Sequence, residues 1–160
     1  MDIAGTIRQH LEVIRSLEGR ESEIDGIATE LWSRLDAGGR ILWMGNGGSA
    51  ADSQHLAAEL VGRYSRERRG LASIALTTDT SALTAIANDC GYDAVFSRQI
   101  EALCTPADAV IAISTSGNSP NVVRGIQAAR EAGAFTVGLA GGDGGEVARL
   151  AHRRFTVDSP

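Results

Sequence analysis

From residue 40 onward the chain alternates between two kinds of apolar patterning, and this limits what it can become. Short β-rich runs at 40–44, 73–76, 109–113, 135–139 and 154–157 are separated by helix-like segments at 49–61, 81–88, 94–103, 121–132 and 145–150. Strands covered on both faces read as nearly unbroken apolar runs, so this order predicts a parallel sheet with helices on either side. Right-handed crossovers then give a three-layer, doubly wound α/β fold of about five strands. Ligands of such sheets sit outside the carboxyl ends of the strands. The first, second and third runs here end in polar loops.

Two helices are predicted ahead of the sheet. Ile3, Ile7, Leu11, Ile14 and Leu17 recur at three- and four-residue spacing and make one apolar face. A second helix, over 22–35, should end at Gly38-Gly39 in a glycine cap. The 160 residues are therefore read as one domain, with a helical segment at 1–37 and an α/β core at 38–160. The apolar stripe of the first helix suits an interface between subunits.

Charge narrows the partners. With 15 basic and 20 acidic residues the net charge is -5, and the densest basic cluster (Arg63, Arg66, Arg68, Arg69) is short. This disfavours generic nucleic-acid binding but leaves room for a single anionic ligand. The longest purely apolar run, 109–113, is too short to span a bilayer. Met1–Ile14 has no basic region leading into an apolar core, and Cys90 and Cys104 match no metal or disulfide spacing. A cytoplasmic chain with free thiols and no membrane partner is expected.

Two loops carry the chemistry. Residues 45–50 read Gly-Asn-Gly-Gly-Ser-Ala between the first strand and a helix, and three readings compete for them. The glycines could simply turn the chain. They could open a dinucleotide site, although the fingerprint wants an acid about 20 residues on, and Asp79 stands beyond the second strand. Or they could hold a sugar phosphate, with Ser49 capping the helix and donating its hydroxyl. The second loop favours the last reading. Ser114-Thr115-Ser116-Gly117-Asn118-Ser119-Pro120 places four hydroxyls in six residues at a strand's carboxyl end, just before a helix.

On the helix after the first loop, His55 and Glu59 are four residues apart and share a face. A surface pair is the plain interpretation. Beside a sugar-phosphate cleft, a positioned carboxylate could instead move a proton between adjacent carbons.

GNGGSAADSQHLAAEL, LTTDTSALTAIANDCGYD and ISTSGNSPNV together resemble the sugar isomerase (SIS) domain, and within it the phosphoheptose isomerase family. The similarity runs from about Gly39 onward, with three motifs in the family's order and spacing. It implies a flavodoxin-like fold, a homotetramer with sites between subunits, and one zinc per subunit. It also implies conversion of sedoheptulose 7-phosphate to D-glycero-D-manno-heptose 7-phosphate for lipopolysaccharide and other cell-surface glycan synthesis. By the same resemblance His55 becomes a zinc ligand, and Glu59 a zinc ligand, substrate contact and general base. Asn46, Gly47, Gly48, Asn88 and Asp89 become substrate contacts, while Ser114, Thr115, Ser116 and Ser119 form the phosphate loop. The family continues into a helix with the motif I-Q-E-x-x-H, whose Gln and His complete the zinc site. This sequence stops at Val157-Asp158-Ser159-Pro160, so that helix is expected to lie beyond the chain as given.

The competing function is a non-catalytic SIS module that binds a sugar phosphate or a regulatory partner. Such a module needs the loops but has no use for a carboxylate facing the cleft, so Glu59 with His55 favours the enzyme.

Overall fold

The structure is a computed structural model that describes residues 2–158. Five strands, β1 (Ile41–Gly45), β2 (Ser73–Ala75), β3 (Ala109–Ser114), β4 (Phe135–Gly141) and β5 (Arg153–Val157), form one sheet in the order β2-β1-β3-β4-β5. Every neighbouring pair is parallel. That order is the flavodoxin-like one, whose topological switch lies between β1 and β3.

Alternation along the strands sorts the core into two layers. Leu42, Met44, Val110 and Ala112 face one side, with Phe96, Ile100, Val122 and Ile126 packed on them. This side is covered by α4 (Thr80–Cys90), α5 (Ser97–Leu103), α6 (Pro120–Glu131) and α7 (Gly145–Leu150). Ile41, Trp43, Ile111, Phe135 and Val137 face the other, against α2 (Glu21–Asp36) and α3 (Gly48–Val61). The predicted three layers are present, and the strand and helix bounds shift by a few residues at most. The segment read as one helix over 94–103 divides into a 3-10 turn, Tyr92–Ala94, and α5.

The glycine end of α2 is as expected. Gly38 takes a positive φ of 86°; its N–H bonds Leu35 O and the N–H of Gly39 bonds Arg34 O, the paired 5→2 and 6→1 bonds of a Schellman cap. The same pair closes α6 through Gly133 and Ala134. At the amino edge of the sheet, Arg40 and Asp108 tie the starts of β1 and β3 together. The Asp108 carboxylate accepts from the Arg40 backbone N–H at 2.7 Å and from its guanidinium at 3.1 Å.

The first helix, α1 (Ile3–Arg15), behaves differently. Its N-terminus is capped by the Asp2 carboxylate, which accepts from Gly5 N–H. None of its residues is buried, and Ile3, Ile7, Leu11 and Ile14 all stand exposed. The stripe therefore does not pack on the chain's own sheet. No helix among the described residues is long and apolar enough to cross a membrane, and both cysteines are free.

Candidate active site

A cleft of about 480 Å³ opens at the switch point, at the carboxyl ends of the central strands. It is lined by Asn46 and Ser49 after β1, by Ser114, Thr115, Ser116 and Ser119 after β3, and by Gly141, Gly142 and Asp143 after β4. The two predicted loops thus meet because their strands are neighbours. The loop after β2 does not join them, contrary to expectation, since β2 is the edge strand. Its Thr77 turns instead to α3, where the carbonyl accepts from Gln54 and the hydroxyl donates to Ala50 O.

The third wall, after β4, escaped the sequence reading. Its signal was present in Gly141-Gly142-Asp143-Gly144-Gly145, a glycine run at a strand's carboxyl end. This wall is clamped to the hydroxyl loop: Gly141 N–H bonds Thr115 O, Val147 N–H bonds Gly117 O, and Glu146 N–H bonds the Asn118 side chain. The approach leaves no room for a side chain at Gly117, where a Cβ would strike the Gly144 carbonyl and where φ is +66°. The glycine is a packing requirement, because only a residue without Cβ takes both the dihedral and the contact.

Within the hydroxyl loop, the Ser114 and Ser119 hydroxyls lie 3.2 Å apart and the Ser116 hydroxyl accepts from Asn118 N–H. Ser119 is also the N-cap of α6, followed by Pro120 at its first position. No Lys or Arg lines the cleft. An anion here would be held by neutral hydroxyls, amide hydrogens and the helix end.

In the first loop Ser49 is not the helix cap predicted. Gly47, at φ 56°, occupies that position and α3 starts at Gly48, so Ser49 sits in the first turn with its side chain toward the cleft lining. Gly47 and Gly48 are exposed on the rim. Gly45 is confined differently: a Cβ there would come within 2.7 Å of Ser49 Cβ and 2.9 Å of Ile113 O. Asp79, the acid a dinucleotide site would need, is spent as the N-cap of α4, accepting from Ala82 N–H at 2.9 Å.

Asn46 is the best-held residue of the loop. Its amide pairs reciprocally with that of Asn121, donating at 2.9 Å and accepting at 2.8 Å, and its oxygen also accepts from the Tyr92 hydroxyl at 3.2 Å. Neither partner was singled out by sequence reasoning. Asn121 lies inside the motif ISTSGNSPNV, but one amide in a helix's first turn is not distinguishable there.

His55 and Glu59 do face the same way, with Nε2 and Oε1 3.9 Å apart. They do not line this cleft within one chain, contrary to the expectation that the helix face would. At 1.5 Å per residue they stand about 9 and 15 Å along the helix from Ser49. The imidazole is 70% exposed, and Glu59 borders an apolar groove between α2 and α3 that includes Trp32, Leu56 and Leu60. An imidazole and a carboxylate suit zinc, but a zinc shell takes three or four ligands. No cluster of three or more His, Cys, Asp or Glu is found among the described residues. The pair fits as half of such a shell. Asn88 and Asp89 end α4, exposed and bonded to each other at 2.8 Å, outside the cleft lining.

Comparison with known proteins places this geometry. The SIS domain profile matches residues 6–141. The chain is 54% identical over 137 residues to the phosphoheptose isomerase of Aquifex aeolicus, covering 86% of this chain and 72% of that one. It is 52% identical over 160 residues to that of Geobacter sulfurreducens, covering 99% and 84%. Among solved structures, phosphoheptose isomerase GmhA from Neisseria gonorrhoeae superposes with a TM-score of 0.84 at 44% identity, covering 98% of this chain and 82% of that one. With this similarity running through most of its length, the chain belongs to the phosphoheptose isomerase family of SIS-domain proteins.

Proposed function

We propose that the chain is an isomerase acting on sedoheptulose 7-phosphate, giving D-glycero-D-manno-heptose 7-phosphate for lipopolysaccharide assembly in the cytoplasm. The observation that carries this reading is the cleft itself, whose Ser114, Thr115, Ser116 and Ser119 hydroxyls stand at the switch point of a chain from this family. The phosphate binds there. The distance along α3 to His55 and Glu59 suits a substrate whose phosphate and carbonyl lie at opposite ends of an extended carbon chain.

The reaction moves hydrogen between C1 and C2. Glu59 takes the proton from C1 of the ketose, the C1–H electron pair becomes the C1–C2 double bond of an enediol, and a proton then returns to C2. The hydroxyl proton leaves O1 as O2 gains one, so the atoms balance without an oxidant. A half-buried carboxylate on a rigid helix is positioned for this work. His55 and Glu59 would hold zinc, which when bound supplies positive charge beside the developing enediolate oxygen. The exposed stripe of α1 and the groove beside Glu59 support a homotetramer with sites between subunits, in which a second copy would cover both.

Incubation of a full-length chain that carries the zinc-completing helix with sedoheptulose 7-phosphate in heavy water, followed by NMR, tests the reading. Deuterium should enter C2 of the product and C1 of recovered ketose. Binding of the sugar phosphate with no exchange at either carbon would replace the enzyme with a binding module.

A further inference from the structure

The cleft's least conspicuous polar contact determines what Asn46 can offer a ligand. Asn121 is 2% exposed, and its orientation is set by the backbone, because its Oδ1 accepts from Val122 N–H at 3.0 Å. That N–H is one of the unpaired donors of the first turn of α6 and cannot turn to accept. Asn121 Oδ1 must therefore face donors, and its Nδ2 must face an acceptor. Asn46 meets both demands, giving Nδ2–H to Asn121 Oδ1 and taking Nδ2–H from Asn121 into its own Oδ1. Rotating the Asn46 amide by half a turn would set nitrogen against nitrogen and oxygen against oxygen.

An amide oxygen has two lone pairs and an amide nitrogen two hydrogens. Both lone pairs of Asn46 are engaged, one by Asn121 and one by the Tyr92 hydroxyl. One hydrogen is spent on Asn121. Asn46 is left with a single N–H and no free acceptor. Tyr92 comes from the turn after α4 and Asn121 from α6, so two elements outside the glycine loop govern this one group.

We propose that Asn121, assisted by Tyr92, is a positioning residue that holds Asn46 as an obligate donor to an acceptor oxygen of the sugar phosphate. The proposal rests on the reading of the cleft as a sugar-phosphate site. Asn121 has no contact of its own with the ligand and acts only through Asn46.

A double-mutant cycle read by titration with sedoheptulose 7-phosphate tests this. Asn46→Ala and Asn121→Ala should each weaken binding about tenfold, the loss of one hydrogen bond to a charged ligand. The double variant should bind no worse than Asn46→Ala alone. Tyr92→Phe removes only an exposed hydroxyl and should cost about threefold, a loss that vanishes in the Asn46→Ala background. Unfolding midpoints taken alongside separate packing from positioning, since a loss of packing lowers stability in both backgrounds without the dependence on Asn46. Unchanged affinity in Asn121→Ala, or losses that multiply in the double variant, would overturn the proposal. If Asn121→Ala does not fold, the Tyr92→Phe cycle decides in the same way, with wild-type affinity as the refuting result. Absence of sugar-phosphate binding by the wild-type chain would remove the reading of the cleft and this proposal with it.

Discussion

Replacing Asp108 with asparagine should destabilise the protein while leaving its ligand chemistry intact. Asp108 is 1% exposed, and its two oxygens accept five hydrogen bonds. One oxygen takes Arg40 N–H at 2.7 Å and Nε at 3.3 Å; the other takes Arg40 Nη2 at 3.1 Å, Thr105 N–H at 2.9 Å and the Thr105 hydroxyl at 3.0 Å. Asparagine keeps the shape but turns one of these oxygens into a donor. Whichever way it lies, two N–H groups then face an NH2. A buried donor left without a partner costs about 1–3 kcal/mol. The Arg40 side chain is 34% exposed, so water recovers part of its loss. A total of about 2–4 kcal/mol is expected, a large share of the roughly 5–15 kcal/mol that holds a domain of this size. The melting temperature should fall by roughly 5–15 °C.

The carboxylate also gives a sign to the acid response. Burial on its own would raise the Asp108 pKa, but hydrogen bonds from Arg40 and Thr105 outweigh it and hold the group below its ordinary value. A depressed folded pKa contributes stability that is complete above the unfolded value, about 3.9, and is lost as the pH falls through the folded value. Urea unfolding at pH 7 and across the acid limb should show this part of the slope in wild type and its absence in Asp108→Asn. A change in stability below about 1 kcal/mol at pH 7 would mean that the five bonds contribute little beyond their hydration, and the reasoning would be refuted.

At the opposite edge of the sheet, Ser116→Ala and Ser119→Ala should each weaken sugar-phosphate binding by about tenfold or more while leaving the protein folded; calorimetric affinities equal to wild type would take this loop out of the site. In a full-length chain that carries the zinc-completing helix, Glu59→Gln should preserve binding but slow isomerisation by about 10²–10⁴, and deuterium exchange at the wild-type rate would assign the base elsewhere. His55→Ala should instead reduce zinc affinity, read by titration of the metal alone. Light scattering should give a mass well above the 16.7 kDa chain, and Ile7→Asp on the exposed face of α1 should lower it; a wild-type monomer at micromolar concentration would refute the interface.

The legible parts of the fold are those where one physical demand has one sequence answer. Residues 109–113 are apolar throughout because β3 is buried on both faces, and Gly38 is glycine because α2 ends in a left-handed turn. The hydroxyl loop was legible for the same reason, being chemistry concentrated at a strand end. The stripe of α1 was ambiguous, since Ile3, Ile7 and Leu11 read identically whether they meet their own sheet or another surface. Ser49 was misplaced as a cap because Ser is the commoner capping residue, whereas Gly47 at positive φ lets the helix begin two residues earlier, at Gly48. Asn121 and Tyr92 were invisible because their role lies in a pairing across 75 and 46 positions of chain with Asn46, which no local pattern records.

The absence of Lys and Arg from the cleft lining has a kinetic consequence. On the proposed reading, a dianionic sugar phosphate must reach a cleft bordered by Asp143 on a chain of net charge -5. The field of the whole chain then opposes encounter, whereas in a basic pocket it would draw the ligand in. Added salt screens that repulsion over a Debye length of about 10 Å at 0.1 M. Stopped-flow association should therefore quicken as ionic strength rises, while dissociation, governed by short hydrogen bonds to hydroxyls and amides, stays nearly constant. Such a site would gain selectivity from geometry at the expense of capture speed.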